Sequence, residues 1–240
     1  MLEQRQRLCL ETLQSVTGTL RSFFRFLCFS GRVDRDLSTA VPSVAAHQDN
    51  LPGFLSRREV DQLLEFLKGP NPARMRDYAI ILCFARLGLR AGEAARLTLE
   101  DINWRTGILR LAKTKGRRGR QLPLPAEVGR AIAEYLKQAR PQTSCRNVFV
   151  SLQDGQPLSS SGVSSLTTKA MKGAGLAGSR LGPHLLRHTV ASHLVQRGSS
   201  LKAVADLLGH VSLNTTQIYA KVNLPLLKQV AVPWPKEVRR

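Results

Sequence analysis

The chain is built from apolar segments of helical length, several of them closed by glycine, and one interval departs from that pattern. Residues 73–87 form a long apolar segment that ends at Gly88, which is a common way for a helix to end. Between residues 102 and 124 the apolar residues tend towards alternation, and glycines mark two turns, as expected for short strands. The pattern predicts a mainly α-helical fold with a small antiparallel β-sheet, in the α+β class.

Turn and cap residues set the predicted boundaries of the elements. Ser56 and Glu59 form a capping-box pattern that opens a helix, and residues 50–53 before it have the composition of a linker. We therefore expect a helical segment over residues 1–50 and a larger domain over residues 51–240. The predicted helices cover residues 19–29, 56–67, 73–87, 92–97, 126–140, 161–174, 182–197, 201–208 and 213–222.

Positive charge is concentrated in the larger domain. The chain carries 36 Lys and Arg against 17 Asp and Glu, a formal net charge of +19, yet residues 1–50 are nearly balanced. No acidic residue occurs in residues 105–120, which hold seven basic ones, or in residues 155–205. Solvated surfaces normally mix both signs, so these segments favour a nucleic acid over an acidic membrane surface or protein. Since only 5% of residues are aromatic, stacking platforms for single strands are few, and double-stranded DNA is the expected partner.

Composition argues against several other classes of protein. A hydrophobic fraction of 42% is too high for a disordered basic tail. No apolar run approaches the about 20 residues of a membrane-spanning helix, and the charged N-terminus does not resemble a secretory signal. Four scattered cysteines without a CxxC pair are typical of a reducing compartment, so we expect a cytoplasmic protein with no membrane partner.

Four short segments carry polar residues that packing does not explain. They are GLRAGE at 88–93, KTKGRRGRQLPLP at 113–125, HLLRH at 184–188, and LLGH at 207–210 followed by TTQIYAKV at 215–222. Taken one at a time, the basic residues in these segments are typical of an ordinary charged surface. His184 and Arg187 are notable because a spacing of three residues puts them on one face of a helix.

A metal site is the competing interpretation of HLLRH. His184 and His188 are four residues apart, a spacing that zinc ligands use on a helix. The segment lacks the glutamate of HExxH, however, and adds a positive charge instead, so we interpret His188 and His193 as helix-packing or phosphate-side residues. The sequence contains neither a Walker loop nor a carboxylate cluster for magnesium, and we expect no metal and no cofactor.

Together the four segments resemble the tyrosine recombinase, or phage integrase, family. The ordered set is Arg90, Lys115, His184, Arg187, His210 and Tyr219. Three residues separate His184 from Arg187, 23 separate Arg187 from His210 and nine separate His210 from Tyr219, which is the pattern of that family. Each segment alone is weak evidence of this family, but the ordered set is specific to it.

The resemblance covers residues 51–230 and extends to residues 15–45, which look like the end of the family's helical core-binding domain. It implies a tyrosine recombinase catalytic domain over 51–240, preceded by a partial core-binding domain over 1–50. Family members carry a longer N-terminal domain that closes on DNA, so we expect an incomplete clamp here. Loss of opposing phosphate contacts weakens site-specific affinity, while catalysis can survive.

The resemblance implies that Tyr219 attacks the phosphodiester and forms a 3′-phosphotyrosyl intermediate, which stores the bond energy without ATP or metal. A tyrosine is a weak nucleophile at its free pKa of about 10, so its surroundings must activate it. Arg90 and Arg187 are implied to clamp the phosphate. Guanidinium groups suit that task because they make forked hydrogen bonds and stay charged.

The remaining roles also come from the resemblance. Lys115 is implied to protonate the leaving 5′ oxygen, with His184 assisting proton transfer and His210 hydrogen-bonded to the phosphate. Lys113 is the alternative to Lys115, which we prefer because it precedes the turn glycine and lies eight residues before Pro123. Glu93 matches a frequent acidic position, where we expect structural contacts with basic groups.

The expected function is site-specific DNA recombination or integration for a mobile element. The alternatives are a truncated relative that occupies recombination sites without completing strand exchange and, less favoured, a DNA-relaxing topoisomerase. Residues 224–232 either pack on their own domain or dock on a neighbouring subunit, and the family implies a homo-tetramer on paired DNA sites. The residues expected to bind DNA are Arg110, Lys113, Arg117, Arg118 and Arg120.

Overall fold

A computed structural model describes residues 10–44, 53–112, 119–178 and 180–209, together with Thr216 and Tyr219. The chain divides into two compact units, an N-terminal unit, Met1–Asn50, and a C-terminal unit, Leu51–Arg240. In the part of the chain that the structure describes, no helix is both long and apolar enough to cross a bilayer.

The N-terminal unit contains helix α1, Leu10–Phe29, followed by a short 3-10 helix, Leu37–Ala40. The Asp36 side chain accepts a hydrogen bond from the Ser38 backbone and so opens the 3-10 turn. Helix α1 begins nine residues before the predicted start. The structure accommodates the threonines of this first half because Thr17 and Thr19 donate their hydroxyls to carbonyls one turn earlier.

The C-terminal unit is mostly helical, which confirms the predicted fold class. Its helices are α2 Arg57–Leu67, α3 Pro72–Leu87, α4 Ala91–Arg96, α5 Ala126–Gln138, α6 Ser160–Gly173, α7 Pro183–Gln196 and α8 Leu201–Leu208. The Ser56 and Glu59 capping box is present at the start of α2. Most predicted helix ends lie within two residues of these bounds, and the helix predicted over 213–222 falls outside the described residues, apart from two of its members.

Helix α3 is the centre of the core. It packs against α2, α5, α6 and α7, and its residues from Ala79 to Phe84 are all buried. A helix that is apolar on nearly every side can only be stable when neighbours cover all its faces. Asn71 caps its start, and Gly88 ends it in the left-handed conformation with a φ of 60°. That sharp end brings the chain directly to Arg90.

Three short strands form an antiparallel sheet in the order β1-β2-β3, as the alternating interval predicts. They are β1 Ile102–Asn103, β2 Ile108–Leu111 and β3 Arg120–Pro123. Leu109 pairs with Leu122 on the buried face, and Leu111 pairs with Arg120 on the same face. Arg110 pairs with Gln121 on the exposed face. The register therefore sends Arg120 inwards and Arg110 outwards.

Helices α7 and α8 pack together around a second, smaller apolar cluster. Its buried members are Ala191, Val195, Val204, Leu208 and Tyr219. Tyr219, although remote in sequence from the middle of α7, is therefore part of a packed core. This packing holds the Tyr219 ring beside the face of α7 that carries Arg187 and His188.

Candidate active site

Glu93 joins two of the predicted site arginines. Its Oε1 accepts hydrogen bonds from Arg90 Nη1 at 2.9 Å and from Arg120 Nη1 at 2.8 Å. Its Oε2 accepts from the Arg90 backbone N–H at 2.8 Å and from Arg120 Nη2 at 3.0 Å. Glu93 lies three residues after Arg90, at the first turn of α4, where a carboxylate also suits the positive end of the helix dipole. These four hydrogen bonds are contacts with basic residues of the kind expected for Glu93.

The hydrogen bonds from Arg90 and Arg120 keep Glu93 ionised, although the Glu93 side chain is mostly buried. Burial works against ionisation, but the hydrogen bond and charge of Arg120, followed by the contacts from Arg90, lower the pKa of Glu93 to about 2. The carboxylate is therefore negative at any physiological pH. It offsets part of the positive charge that several arginines bring to one place.

The carboxyl end of α8 is held by three arginines from separate parts of the chain. The carbonyls of Leu207, Leu208 and Gly209 accept hydrogen bonds in turn from Arg120 Nε, Arg187 Nη2 and Arg90 Nη2, at 3.0, 2.5 and 3.2 Å. The last carbonyls of a helix lack partners within the helix and form the negative end of its dipole. They are therefore natural acceptors for guanidinium groups. The residue that follows Gly209 in the sequence is His210.

Arg187 is the most deeply placed of these arginines, with 5% of its surface exposed. Its Nη1 donates to the Gly88 carbonyl at 2.6 Å, so Arg187 connects the carboxyl ends of α3 and α8. Burial, followed by the charge of Arg90, lowers the pKa of Arg187 to about 9. The guanidinium still carries its positive charge at neutral pH, and each terminal nitrogen has a second N–H besides the one used.

Tyr219 is almost completely buried, with 1% of its surface exposed. Its hydroxyl oxygen lies 2.7 Å from His188 Nδ1, and the two rings are 5.7 Å apart between centroids. Burial raises the pKa of Tyr219 to about 12, against the opposing charge of Arg187. Burial, followed by the charges of His184 and Arg187, lowers the pKa of His188. At neutral pH the imidazole is therefore neutral, and its Nδ1 accepts the phenolic hydrogen of Tyr219 when the ring proton lies on Nε2.

The structure places some of the predicted site residues close together and leaves others further apart. Arg90 and Arg187 both bind the carboxyl end of α8, and Tyr219 contacts His188, the residue next to Arg187. His184 is exposed at the start of α7 and lines a cavity of about 480 Å³ that His188 also lines. Lys115 and His210 lie outside the described residues, and their roles stay predictions.

Two of the five predicted DNA-binding residues are described. Arg110 is exposed on the outer face of the sheet, where it is available to a partner. Arg120 instead has its guanidinium engaged by Glu93 and Leu207, so its described contacts are internal rather than with solvent. The alternating pattern of β3 indicates that Arg120 points inwards, because Arg120 lies two residues before the buried Leu122. The predicted contacts of Lys113, Arg117 and Arg118 fall outside the described residues.

His188 makes a contact that the sequence does not predict. It follows Arg187 directly, and its four-residue spacing from His184 is the spacing of zinc ligands on a helix rather than a signal of contact with Tyr219. No motif indicated that contact, because it joins residues 31 positions apart. Among the described residues, no group of three or more His, Cys, Asp and Glu side chains is placed to hold a metal ion.

Comparison with known proteins connects this geometry to a family. Residues 53–224 match the model of the phage integrase family. The chain is 41% identical over 239 residues to y4rA of Sinorhizobium fredii, which is named provisionally as an integrase/recombinase, and covers 57% of its length. It is 33% identical over 230 residues to the tyrosine recombinase XerC of Lacticaseibacillus casei, covering 93% of this chain and 76% of XerC.

Solved structures agree with the sequence relatives. The crystal structure of XerA recombinase superposes with a TM-score of 0.66 at 25% identity, covering 95% of this chain and 78% of XerA. XerH recombinase, in a post-cleavage complex with its difH substrate, gives a TM-score of 0.69 at 26% identity, covering 83% of this chain and 58% of XerH. The chain spans little more than half the length of several of these proteins, 57% of y4rA among them. By sequence and fold, the chain belongs to the phage integrase family of tyrosine recombinases.

Proposed function

We propose that this chain cuts and rejoins double-stranded DNA at specific sites, with Tyr219 as the nucleophile and a 3′-phosphotyrosyl intermediate. The observation that carries the proposal is that Arg90 and Arg187 meet at the carboxyl end of α8, while Tyr219 contacts His188, the residue next to Arg187. A phenol supplies the nucleophile for a phosphodiester transesterification, and two guanidinium groups supply donors for the phosphate oxygens. Membership of the tyrosine recombinases supports the same chemistry.

In this mechanism Arg90 and Arg187 hold the non-bridging oxygens of the scissile phosphate. Charge builds up on those oxygens when the Tyr219 oxygen attacks phosphorus, and fixed donors stabilise it without reorganising. The helix carbonyls and Glu93 that hold the guanidiniums keep them in place before DNA arrives. Lys115 is proposed as the acid for the leaving 5′ oxygen, and His184 and His210 as supporting groups, on the strength of the family pattern.

Covalent trapping on nicked DNA tests the proposal. The DNA is taken from the flanks of the gene, and a nick beside the scissile phosphate lets the cleaved fragment diffuse away, so the protein stays attached. We expect wild type to form a covalent complex that survives denaturing electrophoresis. Tyr219→Phe removes only the hydroxyl oxygen, and we expect it to bind the same DNA without being trapped.

The outcomes separate the proposed enzyme from a DNA-binding relative. If wild type binds the flanking DNA as tightly as Tyr219→Phe and neither is trapped, the chain occupies its sites without cutting them. If Tyr219→Phe is trapped as well as wild type, another residue is the nucleophile. Trapping of wild type, but not of Tyr219→Phe, on unrelated DNA as readily as on the flanking DNA would favour a relaxing topoisomerase over a site-specific recombinase.

The proposal extends to assembly and to the smaller unit. We propose that four copies assemble on two paired DNA sites, since strand exchange between two duplexes requires four cleavages, and that the protein works in the cytoplasm, where its DNA lies. The N-terminal unit, Met1–Asn50, is proposed as part of a clamp on the DNA, and the C-terminal unit as the catalytic domain. Sedimentation of the protein on a synthetic paired site measures the number of copies.

A further inference from the structure

We propose that His188 is the general base that takes the phenolic proton from Tyr219 during cleavage, an inference that rests on the proposed role of Tyr219. The hydroxyl oxygen of Tyr219 and Nδ1 of His188 are 2.7 Å apart, within the range over which a base can take a proton directly. The contact is to the reacting atom itself. His188 would therefore be a catalytic residue rather than a residue that acts through another.

Burial makes a built-in base necessary. Tyr219 is 1% exposed and packs against the apolar side chains of α7 and α8, so bulk water has little access to its hydroxyl. A phenol with a raised pKa is a poor nucleophile unless its proton leaves as the new bond forms. In the described part of the chain, the group hydrogen-bonded to that hydroxyl is His188.

Helix α7 carries both the proposed base, His188, and the proposed phosphate-binding group, Arg187. Arg187 and His188 are adjacent on α7, and Arg187 reaches the carboxyl ends of α3 and α8 while His188 reaches Tyr219. Since α7 is a single rigid element, the phosphate held by Arg187 and the proton acceptor move together. Positioning of this kind supports proton transfer in step with attack.

His188 is also in the protonation state that a base needs. In the described part of the chain, the charges that act on it are those of His184 and Arg187 on its own helix, Tyr219 is its hydrogen-bond partner, and Glu59 and Arg180 line the cavity that His188 also lines. Burial and the two neighbours on α7 lower the pKa of His188, which leaves the ring neutral at physiological pH. A phosphodiester bound beside Arg187 brings negative charge that reduces the repulsion on a protonated His188, so substrate makes the ring a stronger base.

The proposed step balances in both directions. In cleavage the Tyr219 O–H bond breaks and an N–H bond forms at Nδ1 of His188, while the Tyr219 oxygen bonds to phosphorus. The bond from phosphorus to the 5′ oxygen breaks, and that oxygen takes a proton from the acid. In rejoining, the 5′ hydroxyl attacks phosphorus and His188 returns its proton to the departing Tyr219 oxygen, as microscopic reversibility requires.

His188→Asn tests the proposal, because the Asn amide oxygen can accept the Tyr219 hydrogen bond near the Nδ1 position but does not take up a proton near neutral pH. Single-turnover trapping on nicked DNA gives the cleavage rate, and a filter assay gives DNA affinity. We expect cleavage to slow by about 10²- to 10⁴-fold, the usual contribution of a general base, with DNA affinity unchanged. His193→Asn is the matched control, because His193 is on the same helix and also partly buried. Its ring packs against Phe54, which is the helix-packing role rather than the phosphate-side one, so this variant is expected to cleave like wild type.

The pH profile supplies a readout that a structural role would not change. The wild-type rate should fall as the pH drops through the lowered pKa of His188, and His188→Asn should lack that inflection. The wild-type profile is informative even if the variant folds poorly, which a thermal melt would reveal. A wild-type rate that does not fall in this range contradicts the proposal.

A modified substrate distinguishes the base from the acid. DNA with sulfur in place of the bridging 5′ oxygen has a leaving group that needs no proton, because thiolates leave readily. We expect this DNA not to restore cleavage by His188→Asn, since the phenol must still lose its proton. Restoration would show that His188 acts on the leaving oxygen instead and would overturn the proposal.

The proposal and the proposed function fail in different ways. If wild type is trapped and His188→Asn is trapped at the same rate, the assignment of His188 is wrong while the role of Tyr219 stands. If wild type binds DNA and is never trapped, the proposed function fails and the role of His188 fails with it.

Discussion

At the scale of single residues, the arginine side of the site depends on one carboxylate. Glu93 receives hydrogen bonds from both Arg90 and Arg120, and the Glu93 and Arg120 side chains are each 12% exposed. Buried charges are stable only when they are paired, and removing one partner leaves the others uncompensated. Glu93 therefore contributes more to the fold than the exposed ion pairs of the same unit.

We expect Glu93→Gln to lower the free energy of unfolding by about 3 to 5 kcal/mol, the usual cost of breaking a buried ion pair. Chemical denaturation followed by circular dichroism measures the change. Glu127→Gln is the control, since the Glu127 pair with Arg86 is 41% and 34% exposed and should cost at most about 1 kcal/mol. Equal losses in the two variants would contradict the role given to Glu93.

The same carboxylate predicts how stability depends on pH. The pKa of Glu93 is about 2 in the folded chain against an ordinary 4.5, so its ionisation favours the folded state above pH 4.5. That contribution, on the order of 3 kcal/mol, is lost as the pH falls from about 4.5 to about 2, where both states become protonated. Denaturation at several acidic pH values should show a steeper loss for wild type than for Glu93→Gln.

At the scale of elements, the carboxyl ends of α3 and α8 provide a frame for the site. Gly88 ends α3 in a left-handed conformation, its carbonyl accepts from Arg187, and the next turn of chain begins α4 with Arg90. Gly209 ends α8 in the same conformation with a φ of 61°. Two helix ends of the same kind thus present their carbonyls to the guanidinium groups.

Gly88→Ala should disturb this frame. A Cβ there lies 2.7 Å from Leu208 Cδ2, and the φ of 60° already disfavours a side chain. We expect a loss of about 1 to 2 kcal/mol from the backbone conformation and about 1 to 3 kcal/mol more from overpacking, together with slower DNA cleavage. Thermal and chemical denaturation measure the stability, and the trapping assay measures the cleavage.

Gly107→Ala is the matched control for Gly88→Ala. Gly107 has a nearly identical φ of 63°, but open space surrounds the position of its Cβ. Only the backbone contribution should remain, and cleavage should stay at the wild-type rate. A Gly88→Ala variant that is no less stable than Gly107→Ala would show that the helix ends are not closely packed.

At the scale of the whole molecule, the formal charge of +19 governs association with DNA. Each phosphate neutralised by a basic side chain releases counterions, so affinity falls steeply as salt rises. For a protein with about six to ten phosphate contacts, the loss between about 50 mM and 200 mM salt is about 10³- to 10⁵-fold. We expect this protein to behave in that way on double-stranded DNA.

The Arg110→Gln variant tests whether Arg110 contacts DNA directly or only adds to the net charge of the protein. Arg110 is exposed, and loss of one phosphate contact should reduce the slope of log affinity against log salt by about 0.9. Arg146→Gln removes the same charge from a residue that is already paired with Glu100, and we expect an unchanged slope. Binding titrations at several salt concentrations measure both slopes, and equal slopes would exclude a direct contact from Arg110.

Local patterns were sufficient for most of the architecture. The Ser56 and Glu59 box, the glycine at 88 and the alternation around Leu109 depend on neighbours in sequence, and each predicted its element. The start of α1 was missed because its first half contains a glycine and threonines, which are weak helix formers. The structure compensates with the hydroxyl hydrogen bonds of Thr17 and Thr19.

The amino-acid sequence was enough to propose the reactive groups, because the order and spacing of Arg90, Arg187 and Tyr219 are properties of the chain alone. The atoms that those groups contact were decided by the packing of the tertiary structure. Arg187 binds carbonyls of Gly88 and Leu208, and backbone carbonyls carry no signal of residue type. The contact of His188 with Tyr219 likewise exists because α7 and α8 close around a common apolar cluster, which no local pattern encodes.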